Sequence, residues 1–201
     1  LISATVHVSR EYDNMHNSME RYIECEESDA LLTAGSAHLT EQARLYAVTM
    51  DPKYMAEYFK EVNETRRREQ ALEGLRRSHD GEEAYAFLVA ALENSNALME
   101  REVYAMRLVA EAEGETNIPP EVRSVEVEQA DLLLSREEMM EKARELVFGG
   151  EYQASQSSIL ANVERSMESI HQSTHQRMLD DTAALEESMV RQRIFVSVLF
   201  V

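Results

Sequence analysis

Leu32-Thr33-Ala34-Gly35-Ser36-Ala37-His38-Leu39-Thr40-Glu41-Gln42-Ala43-Arg44-Leu45-Tyr46-Ala47-Val48-Thr49-Met50-Asp51-Pro52 is the stretch that decides the fold. Apolar or small residues recur at Leu32, Ser36, Leu39, Ala43, Tyr46 and Met50, the spacing of one helix face. Asp51-Pro52 then reads as an N-cap followed by proline at the first position of a new helix, so the turn is tight. Toward the N-terminus the stripe continues through Tyr22, Met19, Met15, Tyr12 and Val8, with no proline on the way. Residues 1–50 are predicted as one helix. Within it, the window Ala34-Gly35-Ser36-Ala37 supplies almost no side-chain volume, so something else must fill that level.

A second helix is predicted over 52–77, with Tyr58, Val62, Thr65 and Leu72 on its inner face and Arg66-Arg67-Arg68 as a solvated run. Ser78-His79-Asp80-Gly81 closes it. A third helix over 82–113 carries Leu88, Leu92, Ser95, Met99, Val103, Met106 and Ala110, and Gly114 ends it. Residues 114–134 form the one long loop, marked by Pro119-Pro120. Ser135-Arg136-Glu137-Glu138 is a capping box opening a short helix over 135–148, stopped by Gly149-Gly150. The last helix, over 151–195, has Ile159, Val163, Met167, Ile170, Thr174, Met178, Leu185 and Met189 as its stripe. Six Gly and three Pro in 201 residues are too few to punctuate a sandwich or barrel.

Lengths then set the architecture. The first and last helices would be about 65 to 70 Å long and the second and third about 40 to 50 Å. The expected fold is therefore all-α, a single domain over 1–201. It is an elongated antiparallel four-helix bundle whose two long terminal helices form a membrane-proximal stalk. The stalk stripes, Val8-Tyr12-Met15-Met19-Tyr22 and Met178-Leu185-Met189, need cover, and a second copy of the chain would supply it as a homodimer. Arg193-Ile194-Phe195-Val196-Ser197-Val198-Leu199-Phe200-Val201 turns abruptly apolar, and 194–201 reads as the start of a transmembrane span. Leu1-Ile2-Ser3-Ala4-Thr5-Val6-His7-Val8 reads as the exit of an earlier one. Both expectations place the chain at a cell membrane through flanking spans.

Thirty-eight acidic against twenty basic residues give a net charge of -18, which repels nucleic-acid phosphates and excludes a nucleic-acid partner. The single cysteine, Cys25, closes no internal disulfide. Glu168-Ser169-Ile170-His171 is half of a di-iron pattern. Its only analogue, Asp13-Asn14-Met15-His16, falls about 13 Å from the level of His171. His171 and His175, with Cys25 or Glu24 at similar height, form the weaker metal alternative to a solvated face. With no phosphate loop, nucleophile elbow or Cys-His pair, no catalytic residue, metal or cofactor is assigned, and the chain is not expected to be an enzyme.

Register arithmetic gives a candidate ligand site. The small window faces Thr65 and Arg66 on the second helix, Asn94-Ser95-Asn96 on the third, and Ser157, Ser158 and Asn162 on the last. Ser36, Thr40, Thr65, Arg66, Ser95, Asn96 and Asn162 therefore make a small, polar layer suited to a small polar ligand, with Arg44, Glu100, Tyr104 and Arg107 at its upper edge. Mutual hydrogen bonding among these side chains, or with water, is the competing arrangement.

Leu39-Thr40-Glu41-Gln42-Ala43-Arg44-Leu45-Tyr46-Ala47-Val48-Thr49, Asp51-Pro52-Lys53-Tyr54, Tyr58-Phe59 and Thr65-Arg66-Arg67-Arg68-Glu69-Gln70-Ala71-Leu72 resemble the extracytoplasmic helical sensor region of bacterial membrane signalling proteins. Ser95-Asn96-Ala97-Leu98-Met99-Glu100, Tyr104-Ala105-Met106-Arg107-Leu108 and Ala143-Arg144-Glu145-Leu146-Val147-Phe148 resemble its later blocks. The chain departs from the pattern at Ala47 and Met50, where the resemblance leads to Val and Gly. Such regions lie between two membrane spans and precede a GGDEF diguanylate cyclase or a histidine kinase module. The resemblance implies a signal-relaying sensor and carries over no binding residue. The alternative is a cytosolic helical scaffold whose stripes bind another coiled coil.

Overall fold

The computed structural model describes residues 2–78 and 82–199. The expected closing turn at His79, Asp80 and Gly81, together with Leu1, Phe200 and Val201, lies outside the described residues, as do the side chains of 2–7, Cys25, Leu88 and Phe195. Every regular element among the described residues is helical. Long helices α1 (Ile2–Thr49), α4 (Glu82–Glu113) and α7 (Gly150–Leu199) frame the molecule. Between them lie α2 (Pro52–Lys60), α3 (Arg67–Ser78), the single-turn α5 (Pro120–Arg123) and α6 (Arg136–Phe148).

Side-chain pairs fix the packing. Across α1 and α7, Tyr152 meets Thr40, His171 meets Glu26, and Ser18 meets Asp181, so the two helices are antiparallel over most of their length. Across α4 and α7, Arg101 pairs with Glu151, Asn94 with Ser158, and Phe87 lies under Arg165, again antiparallel. Gly74 of α3 abuts Ser28 of α1. Since Ser78 ends α3 only one turn beyond that contact, and α4 begins near the level of Arg165, the lower ends of α1 and α7 extend beyond both. At rises of about 1.5 Å per residue, the paired extension is about 30 Å.

The main core lies at the other end. Leu39, Ala43 and Tyr46 of α1, Tyr58 of α2, Met106 and Val109 of α4, Ala143 and Val147 of α6, and Tyr152 of α7 pack into one cluster. Residues 114–134 serve that end too: Ile118 and Val122 plug into it. Asp131, buried in a single 3-10 turn, is gripped by Lys142 at 2.6 and 2.7 Å and by the Tyr104 hydroxyl at 2.5 Å.

The second helix expected over 52–77 is not continuous. Residues Glu61–Thr65 form a π-helical turn, and Arg66 follows at φ 50 in the left-handed region. Two side-chain contacts hold this break. Glu61, almost wholly buried, accepts from the Arg67 backbone N–H at 3.0 Å and from its guanidinium at 2.9 Å. Gly35 lets the turn approach α1, since a Cβ there would come within 3.1 to 3.2 Å of Arg67, Arg68 and Glu61. A π-turn inserts one residue into the helical count, so side chains beyond it change face. Thr65, expected on the inner face, is exposed; Arg68 and Ala71 are buried instead.

The stalk stripes are also rearranged. Tyr12, Met19 and Ile23 are about half exposed, at 55, 51 and 50%, whereas Ser18, Thr174, Leu185 and Ser188, on the segment where α1 and α7 run alone, are buried. Hydroxyls therefore make up much of the seam within one chain, with Leu185 buried among them and Met15, Tyr22 and Met178 half-buried at its edges.

Candidate ligand site

One partly open chamber of about 260 Å³ lies where α1, α3, α4 and α7 meet, with the exposed residues Thr33, Ala37 and Leu160 in its lining. Ser36 and Thr40 enter from α1 and Ser95 from α4, so these three expected site residues share one space. Leu39, Leu98, Met99 and Ile159 form apolar walls, and Arg68, Glu102 and Gln156 add polar groups. Below Arg68 a second void of about 20 Å³, between Leu32, Leu72, Ala91 and Val163, has room for about one water.

The other expected residues lie elsewhere, each for a local reason. The π-turn carries Thr65 and Arg66 outward; Arg66 lines an open groove of about 670 Å³ among Glu24, Glu27, Glu64, Glu69 and Glu73. That groove is larger than the chamber, but it is an exposed acidic face on which no buried polar group awaits a partner. Asn96 and Glu100 are exposed on α4, and Asn162 is half-buried outside the chamber lining. Arg44 is occupied: its Nε donates to the Val147 carbonyl at 2.9 Å, and its guanidinium lies 5.1 Å from the rings of both Phe148 and Tyr152. It satisfies a carbonyl left open at the end of α6 and fastens the α6–α7 joint. Tyr104 is the donor to Asp131, and Arg107 donates to the Val125 carbonyl at 3.3 Å and pairs with Glu111 at 2.8 Å. Both hold the 114–134 segment in place.

Four residues at the chamber were not among those expected from sequence: Arg68, Glu102, Tyr152 and Gln156. Glu102 is 2% exposed and accepts from the Tyr58 hydroxyl at 2.7 Å and from the Tyr152 hydroxyl at 2.5 Å. Burial pushes its carboxyl above the ordinary glutamate range, and the two phenols, helped by Arg68 and Arg44, offset only part of that. Burial and the adjacent carboxylate in turn push both phenols well up. Thr40 lies 3.2 Å from the Tyr152 hydroxyl, and the Gln156 amide donates to Thr40 at 3.5 Å, extending the network along the chamber wall.

Arg68 differs from every other buried polar group here. It is only 5% exposed, and among the described residues no carboxylate lies within ion-pair distance of it and its one hydrogen bond is to the Met99 sulfur at 2.9 Å. A guanidinium presents five N–H donors and cannot shed its charge. The chamber therefore holds a largely buried cation whose remaining N–H donors have no protein partner among the described residues and keep some access to solvent.

At the stalk, His171 Nε2 lies 3.2 Å from Glu26 but out of line for a hydrogen bond, with the Tyr22 ring beside it. His16 is about 15 Å farther down α1, which separates the two acid–histidine pairs. Among the described residues no group of three or more His, Cys, Asp or Glu side chains converges. No described helix is long and apolar enough to cross a membrane.

No protein-family model, curated protein or solved structure matches this chain.

Proposed function

We propose that this chain is an extracytoplasmic ligand-recognition domain of a bacterial transmembrane signalling protein, an elongated antiparallel four-helix bundle that relays occupancy of its chamber to a cytoplasmic GGDEF diguanylate cyclase or histidine kinase module. The observation that carries the reading is the placement of a partly open chamber, lined by the largely buried Arg68 cation, beside two helices, α1 and α7, that run unbroken to the opposite end. A ligand that prefers one packing of the upper bundle shifts those helices by about 1 to 2 Å, the scale on which packed helices exchange arrangements. Membrane attachment through flanking spans rests on the apolar turn of sequence near Ile194, Val196 and Val198.

Signalling at a membrane also calls for a partner for the stalk, and a second copy of this chain fits. Tyr12, Met19 and Ile23 on α1 and Leu179, Met189 and Val190 on α7 stay exposed on a segment with only two helices. Two such pairs side by side bury these groups, each worth about 1.5 to 3 kcal/mol when fully covered. Sedimentation should show concentration-dependent association that Met19→Glu or Met189→Glu weakens. Leu185 is unsuited to that test because it is buried within the chain's own seam. A strictly monomeric chain at millimolar concentration rejects the dimer. The same exposed face is what favours the second reading, a helical scaffold docking another coiled coil, and a monomer that captures a heterologous amphipathic helix there would support it.

A further inference from the structure

We infer that the chamber is a receptor site for a small monocarboxylate with an apolar body, held by Arg68. The inference deepens the sensor reading and rests on it for its biological meaning, but the chemistry stands on the chamber itself. Arg68 supplies a planar fork of donors in a partly open, largely apolar-walled space, and a carboxylate is the group that matches the fork with two parallel hydrogen bonds. Ser36 and Ser95 line both voids on either side of Arg68, so they can donate to whichever carboxylate oxygen faces them. Beyond the cation the walls are Leu39, Leu98, Met99, Ile159 and Leu160, an apolar pocket for the rest of the ligand.

Size and charge narrow the class. An apolar cavity of about 150 Å³ accommodates benzene, so about 260 Å³ suits a carboxylate with a ring or a short branched chain. It does not suit a nucleotide or a fatty acid. Arg68 is the one cationic group lining the chamber, and Glu102, near enough to feel its charge, lines it too. A dianion such as phosphate or a dicarboxylate would leave one charge uncompensated beside that acid, in a molecule of net charge -18. A monoanion neutralises Arg68 and adds no excess charge. The π-turn and the left-handed Arg66 after it select the residue that reaches the site: Thr65 and Arg66 turn outward and Arg68 is buried instead.

Benzoate and 4-methylpentanoate are suitable probes, with benzamide, 4-methylpentanol, inorganic phosphate and succinate as controls. Titration calorimetry and thermal shift on the whole chain should give saturable binding and a raised Tm with the two monocarboxylates, at concentrations where the controls give none. Arg68→Met keeps an unbranched side chain of similar reach and should abolish the shift. Arg68→Lys keeps the charge without the fork and should weaken binding about tenfold. Equal binding of benzamide, or unchanged benzoate affinity in a folded Arg68→Met, overturns the assignment, as does the absence of binding by either monocarboxylate. Distances between spin labels at residue 17, exposed on α1 and off the Tyr12 and Met19 stripe, in a dimer whose Cys25 is replaced by Ser, separate the two levels of the claim. Benzoate binding that leaves them unchanged upholds the carboxylate site while counting against signal relay. A change produced by phosphate or succinate, and not by either monocarboxylate, overturns the carboxylate class and leaves relay standing.

Discussion

Glu102 shows how one buried acid ties stability to pH. Its carboxyl is held above the ordinary glutamate range, chiefly by burial, so the folded chain binds its proton more tightly than the unfolded chain does. The stabilisation this gives is complete below the unfolded glutamate pKa of about 4.3 and is lost as pH rises through the folded value. Glu102→Gln keeps the shape and removes the titration. Relative to the parent, its Tm should therefore rise as pH climbs from about 4 through the folded value, and a difference that stays flat would refute the account. Arg66 offers a second test. A non-glycine residue at φ 50 carries about 1 to 2 kcal/mol of left-handed strain, partly offset by attraction to the groove carboxylates. In high salt that attraction is screened, so Arg66→Gly should be more stable than the parent there by about 1 kcal/mol in urea titration. Of the site, Ser36, Thr40 and Ser95 were legible because a window without volume must face something. Arg68 was not, since three consecutive arginines read as a solvated face until the helical phase past Glu61 is known. Glu102 left a signal that could have been read: it stands between Leu98 and Ala105 on the buried stripe of α4.

Among the elements, the helices with strong punctuation were the legible ones. Asp51 accepts from the Lys53 N–H at 3.0 Å and Ser135 forms a reciprocal capping box with Glu138, as side chains of those types do at helix starts. The α2–α3 break carried no such mark, because neither proline nor glycine occurs between residues 53 and 73. It is created by tertiary contacts, the buried Glu61–Arg67 pair and the close approach at Gly35. Burial pushes Glu61 up, but hydrogen bonds from Arg67 outweigh it and hold the carboxyl below the usual range. The stability it confers is thus present above the unfolded glutamate range and falls away as pH drops through its folded value. Gly35→Leu should push the π-turn off α1 and cost about 1 to 3 kcal/mol in chemical denaturation; a neutral effect would mean that the turn does not depend on that approach. At Met50, φ 60 places a side chain where glycine is the usual residue at a helix end. The departure noted in the sequence is accommodated because Met50 packs against the core.

For the whole molecule, cohesion is uneven. Large buried side chains such as Tyr46, Tyr58, Met106 and Leu108 gather at the end closed by α6 and the 114–134 segment, while the paired extension of α1 and α7 buries mainly hydroxyls. Local opening follows the density of buried apolar contacts. Amide exchange in residues 8–20 and 178–190 should therefore outpace that of 102–110 by orders of magnitude, and uniform protection along the chain would contradict this. The mismatch in helix length was legible, because residues per helix convert directly to ångströms. Which faces meet was not, because the conspicuous Tyr12 and Met19 stripe competes with a quieter one of serines. That quiet stripe has a mechanical consequence. Interlocked leucines resist axial sliding, since each knob must climb out of its hole. Ser18, Thr174 and Ser188 present low relief, so the steric barrier to sliding is small at their levels. Register along this part of the joint is held instead by discrete contacts, the Ser18–Asp181 hydrogen bond and the buried Leu185.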